Sequence, residues 1–509
     1  MTTMTQVSGL QHPNFTGISP SEFFYRNRHM AGFGNPVQAV YSTVRELVEN
    51  SLDACEDASV LPRVQVELAE DDEGIVEIRV SDNGTGIPSA NVADAFGRVL
   101  YGSKYDMRQK RGTFGLGVTM AVLYGEVTTD SPVEVHTATE PGTGHLYRIH
   151  LDIEHNCPVV TAEEPLARAE VGTTVSLRIK GDLDRSYDRV IDYLQLSTVC
   201  TPHARIDLAK NAASHQTFGP WTDSCPEQPV VSKPHPRSAD PELLRKLLAG
   251  SNAELTLRKF LTESFQQVSV RTATHFMEFM ALDPGIRMRD ISRDGILRLS
   301  RALRKFDGFA RPDSRVLSTI GKVPFLNSVQ GLFAPDFVAY SKTAPGEWEG
   351  NPFIIEGVVA TSPSFVASDG PSLQRFANRV PLLYDASEDV LFKAMRRLNW
   401  TRYGVADRCA ARLFVHLCST RIPYKAAGKQ SIAAVAEIED NAMVLFRDLG
   451  RKLMRGLASG QGQLRNNRKA REFAESLHLI AKFGAELAER PVPKTDGLIK
   501  SLFEVDYDE

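Results

Sequence analysis

Cysteine is sparse: six are scattered through 509 residues, with no CxxC pair and no histidine at zinc spacing beside them. That excludes a disulfide framework and a structural zinc site, and leaves the thiols as reduced packing residues. No apolar run approaches the ~18 residues that a membrane helix needs, and the N-terminus lacks a basic patch followed by an apolar stretch. A cytoplasmic protein with no membrane partner is therefore expected. Neither sign of charge dominates. A formal net charge of −4 argues against a protein that coats nucleic acid over its whole surface, while leaving room for local basic faces. What remains is an ordinary globular composition in a chain too long for one core, so two to four domains are expected.

The organising stretch is Val44-Arg45-Glu46-Leu47-Val48-Glu49-Asn50-Ser51-Leu52-Asp53-Ala54. Val40, Val44, Leu47, Val48 and Leu52 recur at helical spacing as a buried stripe, and Glu46, Asn50 and Asp53 recur on another face. A polar helix face is commonly just solvated. It could also be chemical: a carboxylate can take a proton from an attacking water, and an amide oxygen one turn later is a hard ligand suited to Mg²⁺ carrying phosphates.

Strand-like alternation in Val64–Leu68 and Val76–Val80 leads into Ser81-Asp82-Asn83-Gly84-Thr85-Gly86. This reads as a tight turn, or as a site where Asp82 accepts a hydrogen bond from an amino group such as that of adenine, with Gly84 and Gly86 admitting the ring close to backbone. Gly97 to Lys110, containing Ser103 and Lys104, has the look of a mobile lid. Arg111-Gly112-Thr113-Phe114-Gly115-Leu116-Gly117-Val118-Thr119 then precedes an apolar helical run from Met120. Glycines ahead of a helix aim several backbone N–H groups at one point, which makes a phosphate cradle. The spacing fits neither the Walker A pattern nor the Rossmann fingerprint. Strong alternation through Val133–His136, His145–Leu151 and Thr174–Ile179 predicts a mainly antiparallel sheet, and Gly172-Thr173 places a hydroxyl near the base-binding face.

These four elements in this order resemble the Bergerat-fold ATPases, which include gyrase, the MutL repair proteins, the heat-shock chaperone of that superfamily and sensor histidine kinases. Ala31-Gly32-Phe33, Thr43 to Ala54, Ala95 to Tyr101 and Ser103-Lys104-Tyr105 narrow the resemblance to the ATPase subunits of type IIB DNA topoisomerases, of which topoisomerase VI is one. The resemblance implies an α+β multidomain chain. Its parts would be an N-terminal arm (1–20), a Bergerat ATPase sandwich with a mixed, mainly antiparallel sheet (21–228), a helix-two-turn-helix insert (229–310), an α/β transducer (311–460), and a C-terminal helical stalk and tail (461–509).

It further implies ATP and Mg²⁺ as cofactors, Glu46 as the base that activates water, Asn50 as the Mg²⁺ ligand and Asp82 as the adenine contact, with Gly86 and Thr173 beside it. Ser103 and Lys104 would belong to the lid, and Gly112 to Thr119 to the phosphate loop; Thr119 stands where a lysine is common. In Cys418 to Lys429, which resembles the loop that delivers a lysine to the γ-phosphate, Lys429 is the candidate and Lys425 the fallback. Arginines from Arg287 to Arg315 are either a phosphate-contacting face or a solvated one. Trp400-Thr401-Arg402-Tyr403 resembles a DNA-contacting element with Thr401 in place of lysine. From Arg396 to Arg490 there are 18 Lys plus Arg against 9 Asp plus Glu, which suits DNA passing nearby. No tyrosine sits in a cleavage motif, so cutting would fall to a DNA-cleaving A subunit in an A2B2 heterotetramer that relaxes supercoils and decatenates duplex DNA, the ATPase subunits dimerising on ATP. The competing readings are a chaperone or mismatch-repair ATPase with the same nucleotide site, and a non-catalytic scaffold for a DNA-cleaving partner.

Overall fold

The computed structural model describes residues 17–102, 108–112, 115–166, 170–211, 214–405, 410–426, 428–488 and 490–495, with only the backbone of 459–472 and 475. Ser103, Lys104, Thr113 and Phe114, expected in the lid and the phosphate loop, lie outside the described residues.

Two sheets organise the chain. The first has eight strands: β1 (Arg63–Glu70), β2 (Ile75–Asp82), β3 (Val133–Ala138), β4 (His145–Asp152), β5 (Cys157–Pro165), β6 (Gly172–Lys180), β7 (Arg205–Lys210) and β8 (Ser214–Phe218). They run in the order β5-β4-β3-β6-β2-β1-β7-β8. Every pairing is antiparallel except β1 with β7, so the sheet is mixed but mainly antiparallel. Alternation decides which face is covered: in β1, Val64, Val66 and Leu68 are buried while Arg63, Gln65 and Glu67 are exposed. The helices α1 (Pro20–Arg26), α2 (Pro36–Asp57), α3 (Ser89–Gly97), α4 (Gly117–Thr129) and α5 (Leu183–Cys200) accompany this sheet, and α2, α4 and α5 share one hydrophobic core with its strands.

Four short helices, α6 (Pro241–Ala249), α7 (Leu257–Ser264), α8 (Val270–Phe279) and α9 (Arg293–Lys305), follow with a core of their own around Phe260, Phe276, Leu299, Leu303 and Phe306. Each begins on an Asp, Thr or Ser whose side chain accepts a backbone N–H of the first turn. On α9, Arg298, Arg301 and Arg304 are exposed opposite buried Ile296, Leu299 and Leu303. Arg287 and Arg289 instead both pair with Glu254, and Arg315 with Asp313, so part of that arginine run is neutralised locally.

After α10 (Lys322–Phe333), a second sheet joins β10 (Gly346–Trp348), β11 (Asn351–Thr361), β14 (Ala411–Ser419), β12 (Ser372–Ala377) and β13 (Val380–Leu382) in that order, with β9 (Phe337–Lys342) against β11. From Asn351 to Ala360, β11 is buried throughout, because helices cover both faces. On one side lie α11 (Val390–Arg397) and α12 (Ala436–Leu487). On the other, α10 and the end of α5 share a core with Val358, Phe376 and Phe414, which fastens the second sheet to the first unit. The helix α12 is a single run of 52 residues and passes without a break through 460 and 461, where the sequence suggests a boundary. Trp400 is turned inward, its indole N–H donating to the Met395 carbonyl at 3.0 Å.

Candidate nucleotide site

Asn35 caps α2, its side chain accepting the Gln38 N–H at 2.8 Å, and Pro36 fills the first helical turn, where no N–H is needed. The polar face of this helix is not solvated. Arg45, Glu46, Glu49 and Asp53 are 4%, 7%, 1% and 8% exposed. Ionisable groups are buried only where they are paired, so this face is a built site rather than a surface.

It forms one wall of a cavity of about 650 Å³, within the usual range for small-molecule pockets. Other walls come from Asp82 and Gly86 after β2, Thr173 on β6, Gly112, Gly115 and Leu116 ahead of α4, Gly117, Val118 and Thr119 in its first turn, and Lys429. All the site residues expected from the sequence are brought together here, apart from the four outside the described residues.

At one part of the cavity Asp82 accepts from the Ser51 hydroxyl (2.8 Å), the Gly84 N–H (2.9 Å) and the Thr173 N–H (3.3 Å). Burial raises its carboxyl above the ordinary range, with these bonds opposing. The Thr173 hydroxyl sits 3.1 Å from that of Thr137. Gly86 has φ +67, and a Cβ there would lie 2.1 Å from the Ala138 carbonyl oxygen, so no other residue lets the chain turn this close to β3.

Five residues earlier on α2 than Ser51, about 7 Å along its axis, Glu46 faces the N-terminus of α4. A Cβ on Gly117 would lie 1.7 Å from Glu46 Oε2, so the backbone of the first α4 turn rests directly on the carboxylate. The helix begins at Gly117, three residues before the apolar run that signals it in the sequence, which puts Gly117, Val118 and Thr119 inside it. Their N–H groups belong to the first turn of a helix, where intrahelical acceptors are lacking and the dipole favours an anion. Thr119 has no charge to offer; it is buried and donates its hydroxyl to the Leu116 carbonyl at 3.1 Å.

The distant lysine completes the wall. Lys429 Nζ stands 3.3 Å from Glu49 Oε2 and 3.9 Å from Glu46 Oε2. Burial works against its charge, but the two carboxylates prevail and raise its pKa. Burial pushes the Glu49 carboxyl up, partly offset by Lys429. Arg45 pairs with both glutamates and donates to the Gly428 carbonyl at 3.0 Å, which clasps the lysine loop to α2. Lys425 is exposed and pairs with Glu388 at 2.6 Å, away from the cavity, so only Lys429 of the two candidates reaches the site.

Sequence reasoning missed Arg45 and Glu49, the inner partners of Glu46 and Lys429. Their i,i+4 spacing is visible in the sequence, but such a pair ordinarily lies on a solvated helix face, and only the fold shows that this one is buried. Also missed was Arg111, 2% exposed, which donates to Asp53 at 2.8 Å and Thr201 at 3.0 Å and grips Glu56 with both terminal nitrogens. Among the described residues no group of three or more His, Cys, Asp or Glu side chains is placed to hold a metal. Mg²⁺ keeps several waters and takes few protein ligands besides phosphate, and the amide oxygen of Asn50 on the cavity wall is a donor of the right kind.

A helix-borne carboxylate and amide, two glycine turns on one cavity and a lysine from the loop after β14 of the second sheet define an ATPase of the Bergerat class. In agreement, residues 36–155 match the family model described as histidine kinase-, DNA gyrase B- and HSP90-like ATPase. Residues 312–469 match the transducer of the topoisomerase VI B subunit. The B subunit of type 2 DNA topoisomerase 6 from Saccharolobus shibatae is 36% identical over 481 residues, covering 93% of this chain and 89% of that protein. Its counterpart in Saccharolobus solfataricus is 35% identical over 503 residues, covering 96% and 95%. The chain belongs to the family of type 2 DNA topoisomerase 6 B subunits. Among solved structures, the N-terminal domain of a DNA repair protein is similar over 84% of this chain and 98% of its own, at 11% identity and a TM-score of 0.41, too slight to bear on function.

Proposed function

We propose that this chain is the ATP-binding and ATP-hydrolysing subunit of a type IIB DNA topoisomerase. Two copies close on ATP as a clamp around one duplex, and a DNA-cleaving A subunit, in an A2B2 assembly in the cytoplasm, opens the other. The observation that carries the reading is the meeting of Glu46, on α2, with Lys429, from the loop before α12, across one cavity. A site shared between two units is what a nucleotide-operated clamp requires, because closing the site then moves one unit against the other.

In this reading Glu46 accepts the proton of the attacking water. Lys429 stabilises charge on the transferring phosphoryl group and reports its presence to the second sheet. Asp82, Thr173 and Gly86 receive the adenine, and Gly112 to Thr119 receive the phosphates. Mg²⁺, held by Asn50 together with the phosphates, supplies charge neutralisation. Arg45 and Glu49 hold the base and the lysine in register. Membership of the topoisomerase family, carried by the transducer match, disfavours the chaperone and mismatch-repair alternatives.

The test is Glu46→Ala in the full chain. Loss of a general base should lower turnover by ~10²–10⁴ while binding of a fluorescent ATP analogue persists. Undiminished hydrolysis would exclude Glu46 as the base. Hydrolysis by the wild-type chain that is no faster than background would favour the non-catalytic scaffold.

A further inference from the structure

The three residues just ahead of the phosphate-binding turn are each fastened to the second sheet or its approach, and none of these ties involves Lys429. Gln109 is 4% exposed and makes a reciprocal pair with Ser318: its amide donates to the Ser318 carbonyl at 2.8 Å, and its carbonyl accepts the Ser318 N–H at 2.8 Å. The carbonyl of Lys110 accepts from the Asn378 amide at 3.2 Å. Arg111, gripping Asp53 on the cavity wall and Glu56 beyond it, meets Arg379 through that second carboxylate, since Arg379 lies 3.3 Å from Glu56. Burial alone would raise the Glu56 carboxyl, yet the two guanidinium groups hold it well below the ordinary range, so the bridge is ionic.

Asn378 and Arg379 form the two-residue turn between β12 and β13, and both have positive φ, 46 and 63. Asparagine is at home there; arginine is not, and a bulky residue keeps such a backbone only when its surroundings impose it. The surroundings do. Arg379 donates to the Ser318 hydroxyl at 2.5 Å and the Thr319 carbonyl at 3.3 Å, and its N–H donates to His416 Nε2 at 3.1 Å. Because Nε2 accepts, the proton of His416 is on Nδ1, where it meets the buried carboxylate of Glu356 at 2.8 Å. Glu356 also receives the N–H groups of Ile320 and Gly321, which closes the circuit back to Ser318.

We propose that the Asn378-Arg379 turn is a positioning element for nucleotide binding, a second link beside Lys429 that holds the segment ahead of the phosphate turn and couples its position to the second sheet. This rests on the nucleotide-site reading above. Preorganising that segment removes an ordering cost that the nucleotide would otherwise meet on binding.

The test uses Asn378→Gly and Arg379→Gly in the full chain. Glycine accepts the positive φ at both positions, so the turn survives while its side-chain ties are lost. Each variant should raise KM for ATP by about tenfold with kcat within about twofold; the lost buried ties lower the denaturation midpoint, but unfolding should stay cooperative and above the assay temperature. The ATP concentration for half-maximal crosslinking of the dimer should rise in parallel. Arg379→Lys should recover part of the loss, because it restores a charge to Glu56 but cannot also serve Ser318 and Thr319. Unchanged KM in both glycine variants, or a fall in kcat alone, would overturn the link and leave the turn a packing feature. If the wild-type chain binds the fluorescent ATP analogue while the variants bind it equally well, this inference fails and the nucleotide site stands. A wild-type chain that binds none sinks both.

Discussion

Gly117 is the residue on which base and cradle meet. Alanine there would set a Cβ 1.7 Å from Glu46 Oε2, and the carboxylate has little room to retreat because its other oxygen is paired with buried Arg45. Gly117→Ala should therefore reduce hydrolysis by roughly 10²-fold, on the scale of a displaced general base, with the fold retained. Steady-state turnover beside a circular dichroism melt checks both halves; normal turnover would separate Gly117 from the site. At this scale the sequence was most informative about residues that announce a chemistry. Glu46, Asn50, Asp82 and the glycines could be singled out as candidates from their spacing on one helix and two turns, but their roles came only with the resemblance to the Bergerat-fold ATPases. Arg45, Glu49 and Arg111 could not, since nothing in a sequence says that a charged side chain is nine-tenths buried; that depends on strands and loops far along the chain. Lys429 ranked ahead of Lys425 in the sequence, and the structure gives the reason: Lys425 turns to Glu388 and Lys429 to the cavity.

Among elements, the contact between α12 and β9 has a titratable clasp. Asp448 accepts from the Ser341 hydroxyl at 2.7 Å and pairs with Lys452 at 2.8 Å and Arg451 at 3.2 Å. Burial opposes its charge, but these partners prevail and hold the carboxyl at about 2. A carboxyl depressed in the folded state adds stability above its unfolded pKa near 3.9, and that contribution is lost as pH falls toward 2. Partly screened by solvent, it is worth about 1 kcal/mol. Asp448→Asn should thus lower the thermal midpoint at neutral pH, with the gap from wild type closing between about pH 5 and pH 2. A gap that persists unchanged at the acid end would remove Asp448 from the account. Helices and strands with clean periodicity, such as α9 and β1, stood out in the sequence. The start of α4 did not, because Gly117-Val118-Thr119 carries no helical signature of its own. Nor did the continuity of α12, whose polar middle gives no apolar stripe to follow.

For the whole molecule, the decisive measurement is reconstitution. Mixed with a DNA-cleaving A subunit, the chain should relax supercoiled plasmid only when ATP is supplied, and Lys429→Ala should reduce relaxation more than it reduces nucleotide binding. Relaxation without ATP would detach the clamp from the strand-passage cycle. The core that the end of α5 and α10 share with the second sheet packs that sheet against the first unit rather than leaving a loose hinge. Beyond them runs α12, rooted by Leu445, Leu449 and Leu453 and carrying exposed Leu479, Ile480 and Phe483 toward its far end. A helix of that length spans about 78 Å, so a tilt of about 5° at its root sweeps the tip through about 7 Å. If the clamp proposed above tilts that root, small adjustments beside the phosphates would be geared up into displacements comparable with the spacing of two stacked base pairs.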